Sequence, residues 1–221
     1  MKIVPFILFC VLCVGMNVVY TLFCKSKGYK GLLVRGLTIL SCLGLALISS
    51  NLNSLTNSLP LLVFFGLALM LMSEAMIVSE IDEEKPKMIV FGVLSCASNL
   101  MFALSTMSIS EFNVFAFFGG ILLGVGLGCV VCAIKKYKKW YQVLSTLLTF
   151  SAIGFFLSEA VYGVLASSHL ITATIMVGAA VLMLVQKFIK CFVQEGTAAY
   201  YVASAFYVLA SILISCSIYF Y

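Results

Sequence analysis

"FAFFGGILLGVGLGCVVCAIKKYKK", Phe115 to Lys139, runs from Phe115 to Ile134 without a charge and then carries Lys135, Lys136, Lys138 and Lys139. A helix rises about 1.5 Å per residue, so the uncharged part crosses the roughly 30 Å hydrocarbon core of a bilayer. The segment is too long and too apolar for a barrel strand, and a helix satisfies its own backbone hydrogen bonds in lipid. The lysine block marks where the chain leaves the membrane.

The same alternation of apolar run and polar break continues in both directions. Apolar runs occupy 3–24, 32–50, 59–79, 88–108, 112–134, 141–166, 170–190 and 197–220. Between them lie "KSKGYKG", "SNLNSLTNS", "EIDEEKPK", "KKYKK", "SSHL" and "QEGT". Of the 221 residues 63% are hydrophobic and 10% charged, with a mean hydropathy of +1.19. A soluble domain is nearer half apolar and a quarter charged. The expected fold is therefore all-α, a polytopic transmembrane bundle of eight helices forming one integral membrane domain over 1–221. The N-terminal run lacks a small-x-small cleavage site and exceeds a signal-peptide core, so it reads as the first span.

The basic residues test the count of eight. Alternate connections share a face of the membrane. One face collects Lys25, Lys27, Lys30, Arg35, Lys85, Lys87, Lys135, Lys136, Lys138, Lys139, Lys187 and Lys190, and the other holds only Lys2. By the positive-inside rule the lysine-rich face is cytoplasmic and both termini are non-cytoplasmic. These charges are topology markers that attract anionic lipid headgroups, and they need no nucleic-acid partner.

Two other patterns have structural readings. Gly120, Gly124 and Gly128 form a stripe at every fourth residue of the fifth span, with Gly119 and Gly126 beside it. Small residues at that spacing let two membrane helices approach closely. The nine cysteines include Cys10-x-x-Cys13 and Cys129-x-x-Cys132. Metal or redox chemistry is their functional reading, but one histidine in the chain gives them no supporting ligands. They are expected to pack as small polarizable side chains. No metal and no cofactor is expected.

The acidic residues point to chemistry. Glu80, Asp82, Glu83, Glu84, Glu111 and Glu195 fall in connections; Glu74, in "LMSEAM", and Glu159, in "FLSEAV", lie inside spans. An ionisable group within a span is a functional candidate by default. Glu74 sits about 9 Å inside the cytoplasmic boundary and Glu159 about 10 Å inside the outer one. The carboxylates are thus separated by about 10 Å in depth in a core of about 30 Å, and are not an obvious acid–base pair. The two Ser-Glu-Ala triplets sit on antiparallel spans, as a weak inverted repeat would leave them. At the depth of Glu74 the topology also collects Arg35, Ser95, Asn99, Gln186, Tyr200, Tyr201 and Ser204, which are expected to line one polar pocket.

These letters, in order, resemble the YhhN family of eight-span membrane proteins, which includes lysoplasmalogenases. Where that family opens its second helix with Lys-Pro, this chain has Arg35-Gly36. "LMSEAM" sets Glu74 on the Asp of a Leu-Gly-Asp motif, "SNLMFAL" sets Asn99 on a histidine, and "LSEAVY" sets Glu159 on a Gly-Glu-Leu glutamate. "GAAVLMLVQK" sets Gln186 on the Asp of Ser-Asp, and "YYVAS" sets Ser204 on the Gln of Tyr-Tyr-x-Ala-Gln. Glu74 keeps a carboxylate on a longer arm, and Gln186 removes one.

The resemblance implies hydrolysis of a lysophospholipid. The vinyl ether of a lysoplasmalogen would be cleaved to a fatty aldehyde and a glycerophospho-headgroup. That reaction takes a general acid for the vinyl carbon and a group that directs water. The expected catalytic residues are Glu74 as acid, with Asn99 and Gln186 positioning water. Arg35, through its donor fork, or a cytoplasmic lysine would hold the phosphate, with Ser95, Tyr200, Tyr201 and Ser204 completing the substrate site. Glu159 is a second buried carboxylate that could replace the missing base only if depth permits. Two other functions fit the sequence: a small transporter using Glu74 and Glu159 as proton or cation sites, and a silent member that binds a lysolipid without turnover.

Overall fold

The computed structural model describes residues 3–23, 28–50, 57–78, 85–194 and 196–221, with the side chains of 28–29, 74–78 and 85–87 set aside. Lys2, Cys24, Lys25, Lys27, Glu80, Asp82, Glu83, Glu84 and Glu195 lie outside the described residues. The fold is all-helical: α1 (Ile3–Phe23), α2 (Gly28–Ser50), α3 (Ser58–Val78), α4 (Lys85–Met107), α5 (Val114–Lys135), α6 (Trp140–Ala166), α7 (Leu170–Phe192) and α8 (Ala198–Ser217), with a closing 3-10 turn at Ile218–Phe220. Among the described residues there is no strand. Seven of the helices are long and apolar enough to cross a membrane; the described apolar part of α3, Ser58–Ser73, is shorter. The chain is accordingly a multi-pass membrane protein.

Local sequence explains the helix ends. All three prolines fall in a first turn: Pro5 in α1, Pro60 in α3 and Pro86 in α4. There the missing N–H is not needed and the fixed φ already suits a helix. Asn113 caps α5, its side chain accepting from the N–H groups of Phe115 at 2.8 Å and Ala116 at 3.2 Å. Thr197 caps α8 by accepting from Tyr200 N–H at 3.4 Å. Gly196, at φ 94°, supplies the left-handed turn that redirects the chain into α8. The start of α2 precedes the apolar run at 32–50 by four residues because a helix continues past the hydrocarbon edge.

The helix contacts form a ring. α2 packs on α3, α3 on α4, α4 on α6, α6 on α7, α7 on α8, and α8 returns to α2. The other two helices are attached outside. α5 leans on α6, and α1 lies against α2 and α8. They are also the least buried spans. Phe6 and Tyr219 stack with ring centroids 4.2 Å apart, so the start of α1 and the end of α8 share one end of the bundle, as an even number of spans requires. Lys135 lies over the Phe192 ring at 5.9 Å, bringing the ends of α5 and α7 together at the opposite end.

The surface is inverted relative to a soluble protein. Phe115, Leu122, Leu165, Val4 and Leu22 point outward, while Thr38, Ser105, Thr106, Ser204, Ser211 and Ser215 are buried. Continuous exposed apolar surface suits lipid and not water. Three interior serines tie neighbouring helices. Ser98 donates to Gly66 O at 2.8 Å, Ser158 to Ala116 O at 2.7 Å, and Ser215 to Cys42 O at 3.0 Å.

The glycine stripe of α5 meets α6 backbone to backbone. A Cβ on Gly120 would strike Ser158 Oγ and sit 2.7 Å from Gly154 O; one on Gly124 would strike Phe150 O. Gly154 answers from α6, where a Cβ would strike Gly120 O and lie 2.8 Å from Gly124 N. Gly119 and Gly126 face open space. Overpacking a fitted contact costs about 1–3 kcal/mol or more. Gly124→Leu and Gly154→Leu should each lower the thermal unfolding temperature in detergent by several degrees, whereas Gly119→Leu and Gly126→Leu should leave it unchanged.

Candidate functional site

A small cavity lies at the centre of the ring, where five helices converge. α3 supplies Met70 and Ser73; α4 supplies Phe91, Ser95, Ser98 and Asn99; α6 supplies Ile153; α7 supplies Met183, Gln186 and Lys187; α8 supplies Tyr207. Its volume is about 20 Å³. That is room for one water molecule.

Helix geometry places its polar wall. Ser95 and Asn99 stand four residues apart on the inner face of α4, and Asn99 Nδ2 donates to Ser95 O at 2.7 Å. Ser98 turns toward α3 and is held by Gly66 O. Asn99 Oδ1 and Gln186 Oε1 are buried and have no hydrogen-bond partner among the described residues. A buried acceptor left unpaired costs about 1–3 kcal/mol. A water in the cavity has two protons to donate and would satisfy both oxygens.

A second cavity of about 150 Å³ adjoins the first toward the lysine-rich end. Met88, Phe91, Gln142, Ser145, Thr146, Thr149, Phe150 and Cys191 line it, together with Tyr137 from the α5–α6 connection and Lys187. Phe91 and Lys187 belong to both walls. Lys187 Nζ sits 4.7 Å from the centroid of the Phe91 ring, within cation–π range. The two side chains thus partition a water-sized space from a larger one. Burial pushes the Tyr137 phenol above its ordinary range, so at neutral pH it remains a hydroxyl donor.

The residues expected to share a pocket divide. Ser95, Asn99 and Gln186 do line one cavity. Glu74 follows Ser73, which lines it, but the Glu74 side chain lies outside the described residues. Arg35 is buried on α2 away from the cavity wall. Ser204 is fully buried and turns its hydroxyl back on Tyr200 O at 3.0 Å. Tyr200 takes Lys190 over its ring at 5.4 Å and meets Tyr201 edge to face. Arg35, Ser204, Tyr200 and Tyr201 therefore do not join Asn99 and Gln186. Residues outside the expected set do: Ser73, Phe91, Met183, Lys187 and Tyr207.

Glu159 is completely buried, and neither carboxyl oxygen has a hydrogen-bond partner among the described residues. One turn before it, Phe156 packs on Phe102 of α4 with centroids 5.8 Å apart. One turn after it, a Cβ on Gly163 would lie 3.5 Å from Ala173 of α7. The carboxyl is enclosed between those contacts. It lies six residues beyond Ile153, about 9 Å further along α6, and does not line the central cavity. An apolar side chain of similar size would remove two unpaired oxygens without opening a void. Glu159→Met should hold or raise the unfolding free energy, by about 1 kcal/mol, in a chemical or thermal unfolding measurement; a loss of that size would mean the carboxyl is a structural tie. Searches against protein-family models, curated proteins and solved structures find no match to this chain, so the site stands on its own geometry.

Proposed function

We propose that this protein binds a lysophospholipid at the lysine-rich, cytoplasmic end of an eight-span bundle and hydrolyses its vinyl ether, with both chain termini on the opposite side. The observation that carries the reading is the pair of adjoining cavities, one sized for water and bearing two unpaired amide oxygens, the other sized for part of a headgroup. The resemblance to the YhhN family supports the same reaction.

The chemistry divides accordingly. Glu74, next to Ser73 of the cavity wall, transfers its proton to the vinyl carbon. This leaves an oxocarbenium ion. Water held by Asn99 and Gln186 adds to that ion, and the proton it releases returns to Glu74. The resulting hemiacetal separates into a fatty aldehyde and the glycerophospho-headgroup. Proton transfer to carbon is the demanding step. The cation that follows reacts readily with water, so an amide at position 186 suffices to orient the nucleophile where a base is not required. Lys187, on the partition, replaces Arg35 as the proposed phosphate contact, and Gln142, Thr146 and Tyr137 offer further donors.

One observation favours a second reading. Among the described residues the cavity wall holds amides, hydroxyls and one ammonium, and no carboxylate. That composition suits a lysolipid-binding protein without turnover. The two readings separate in lipid nanodiscs supplied with a lysoplasmalogen. Hydrolysis predicts release of fatty aldehyde, a drop of about 100-fold or more on Glu74→Gln, and a raised half-saturating substrate concentration on Lys187→Met. Saturable binding without aldehyde would establish the second reading, and aldehyde release unaffected by Glu74→Gln would remove Glu74 from the mechanism.

A further inference from the structure

Four cysteines that are far apart in the chain converge where α1 meets α2 and α8. Cys10 and Cys13 stand one turn apart on the inner side of α1, Cys42 comes from α2, and Cys216 comes from the end of α8. Cys10 Sγ lies 3.9 Å from Cys216 Sγ. Cys13 lies beside Cys42 and Ser41 of α2. Cys13 and Cys42 are fully buried, while Cys10 and Cys216 are half-buried. The described cysteines are all free thiols, and no group of three or more ligands among the described residues suits a metal ion.

We propose that Cys10 and Cys216 are a reversible disulfide site that staples the first helix to the last. Their sulfurs are already in van der Waals contact, and bond formation brings them roughly 2 Å closer, to the usual S–S length of about 2.05 Å. Cysteine side chains on two facing helices cover that distance by rotation about χ1. The two S–H bonds break and one S–S bond forms. The two electrons and two protons pass to a lipid-soluble acceptor of the quinone class, which leaves as the quinol. Half-burial on a helix that faces lipid gives such an acceptor access that Cys13 and Cys42 lack. A disulfide is also uncharged, so it adds no ionic group to the hydrocarbon region.

The location gives the bond a mechanical effect. α1 buries only Cys13 and Tyr20 completely, and it is the least buried span. Its other ties include its packing on α2, the Phe6–Tyr219 stack, the Tyr20–Tyr207 stack at 6.2 Å and a 3.5 Å contact from Asn17 to Ala205 O. Joining residues 206 positions apart restrains nearly the whole chain, and cross-links closing long loops restrain the unfolded state most.

The test uses full-length protein in nanodiscs, reduced and then exposed to decylubiquinone. The expected product is a peptide pair linking Cys10 to Cys216 in non-reducing mass spectrometry, an unfolding temperature raised by several degrees, and reversal of both by dithiothreitol. Cys10→Ser and Cys216→Ser should each abolish the link and the temperature shift, and Cys129→Ser should retain both. Unfolding of each reduced variant at the wild-type temperature shows that the fold is intact. If folded wild-type protein keeps both thiols alkylatable after oxidation, links other cysteines instead, or protects them with bound zinc or copper, the proposal is overturned.

Discussion

A hydroxyl or amide inside this bundle has only protein to bond with, because hydrocarbon offers neither donor nor acceptor. That constraint governs most of what the interior does. Ser41, Ser73, Ser105, Thr106 and Ser217 turn back onto carbonyls three residues earlier in their own helices. Ser98, Ser158 and Ser215 reach across to a neighbour and tie α4 to α3, α6 to α5 and α8 to α2. Small hydroxyls and glycines can meet these demands at close helix separation, which is why the ring closes tightly on itself.

Against that background the few unpaired groups are informative. Asn99 Oδ1 and Gln186 Oε1 face one small cavity, and the Glu159 oxygens are enclosed elsewhere. The first two have space beside them and the third does not. Space beside an unpaired acceptor is what a reaction needs, since a guest can enter without displacing a packed side chain. The Phe91–Lys187 pair adds a divider whose cationic half can exchange the aromatic face for an anion.

Element count was legible because the bilayer fixes span length, and charges cannot lie between its faces for long. The close contact of α5 was legible in the spacing of Gly120, Gly124 and Gly128, since only a stripe on one face can meet another backbone. The site was legible in depth but not in rotation. Topology gives the height of a residue along the membrane normal. At 3.6 residues per turn, a neighbour in sequence points about 100° away. Asn99 and Gln186 face inward; Ser204, at a similar height, turns to Tyr200 O of its own helix, and Arg35 is buried off the cavity wall. Lys187 is one of many cytoplasmic lysines in the sequence, and nothing in its position near a span end singles it out from the topology markers. The thiol cluster was hidden for a different reason: Cys42 and Cys216 come from other helices, so the spacing of Cys10 and Cys13 carries no sign of them.

The position of α1 bears on how the molecule is assembled. α1 is made before α8, yet Phe6 stacks on Tyr219, Tyr20 on Tyr207, and Asn17 reaches Ala205 O, contacts that lie on α8 or the turn after it. Until α8 emerges, α2 is the main described neighbour of α1, with Phe9 beside Gly44 among the contacts. α1 therefore rests on α2 in lipid until α8 is made, and the bundle is sealed by the late event that brings α8 to α1. Truncation within α8 would leave that waiting helix without its dock, and quality control in the membrane would meet an orphaned first span rather than a damaged last one.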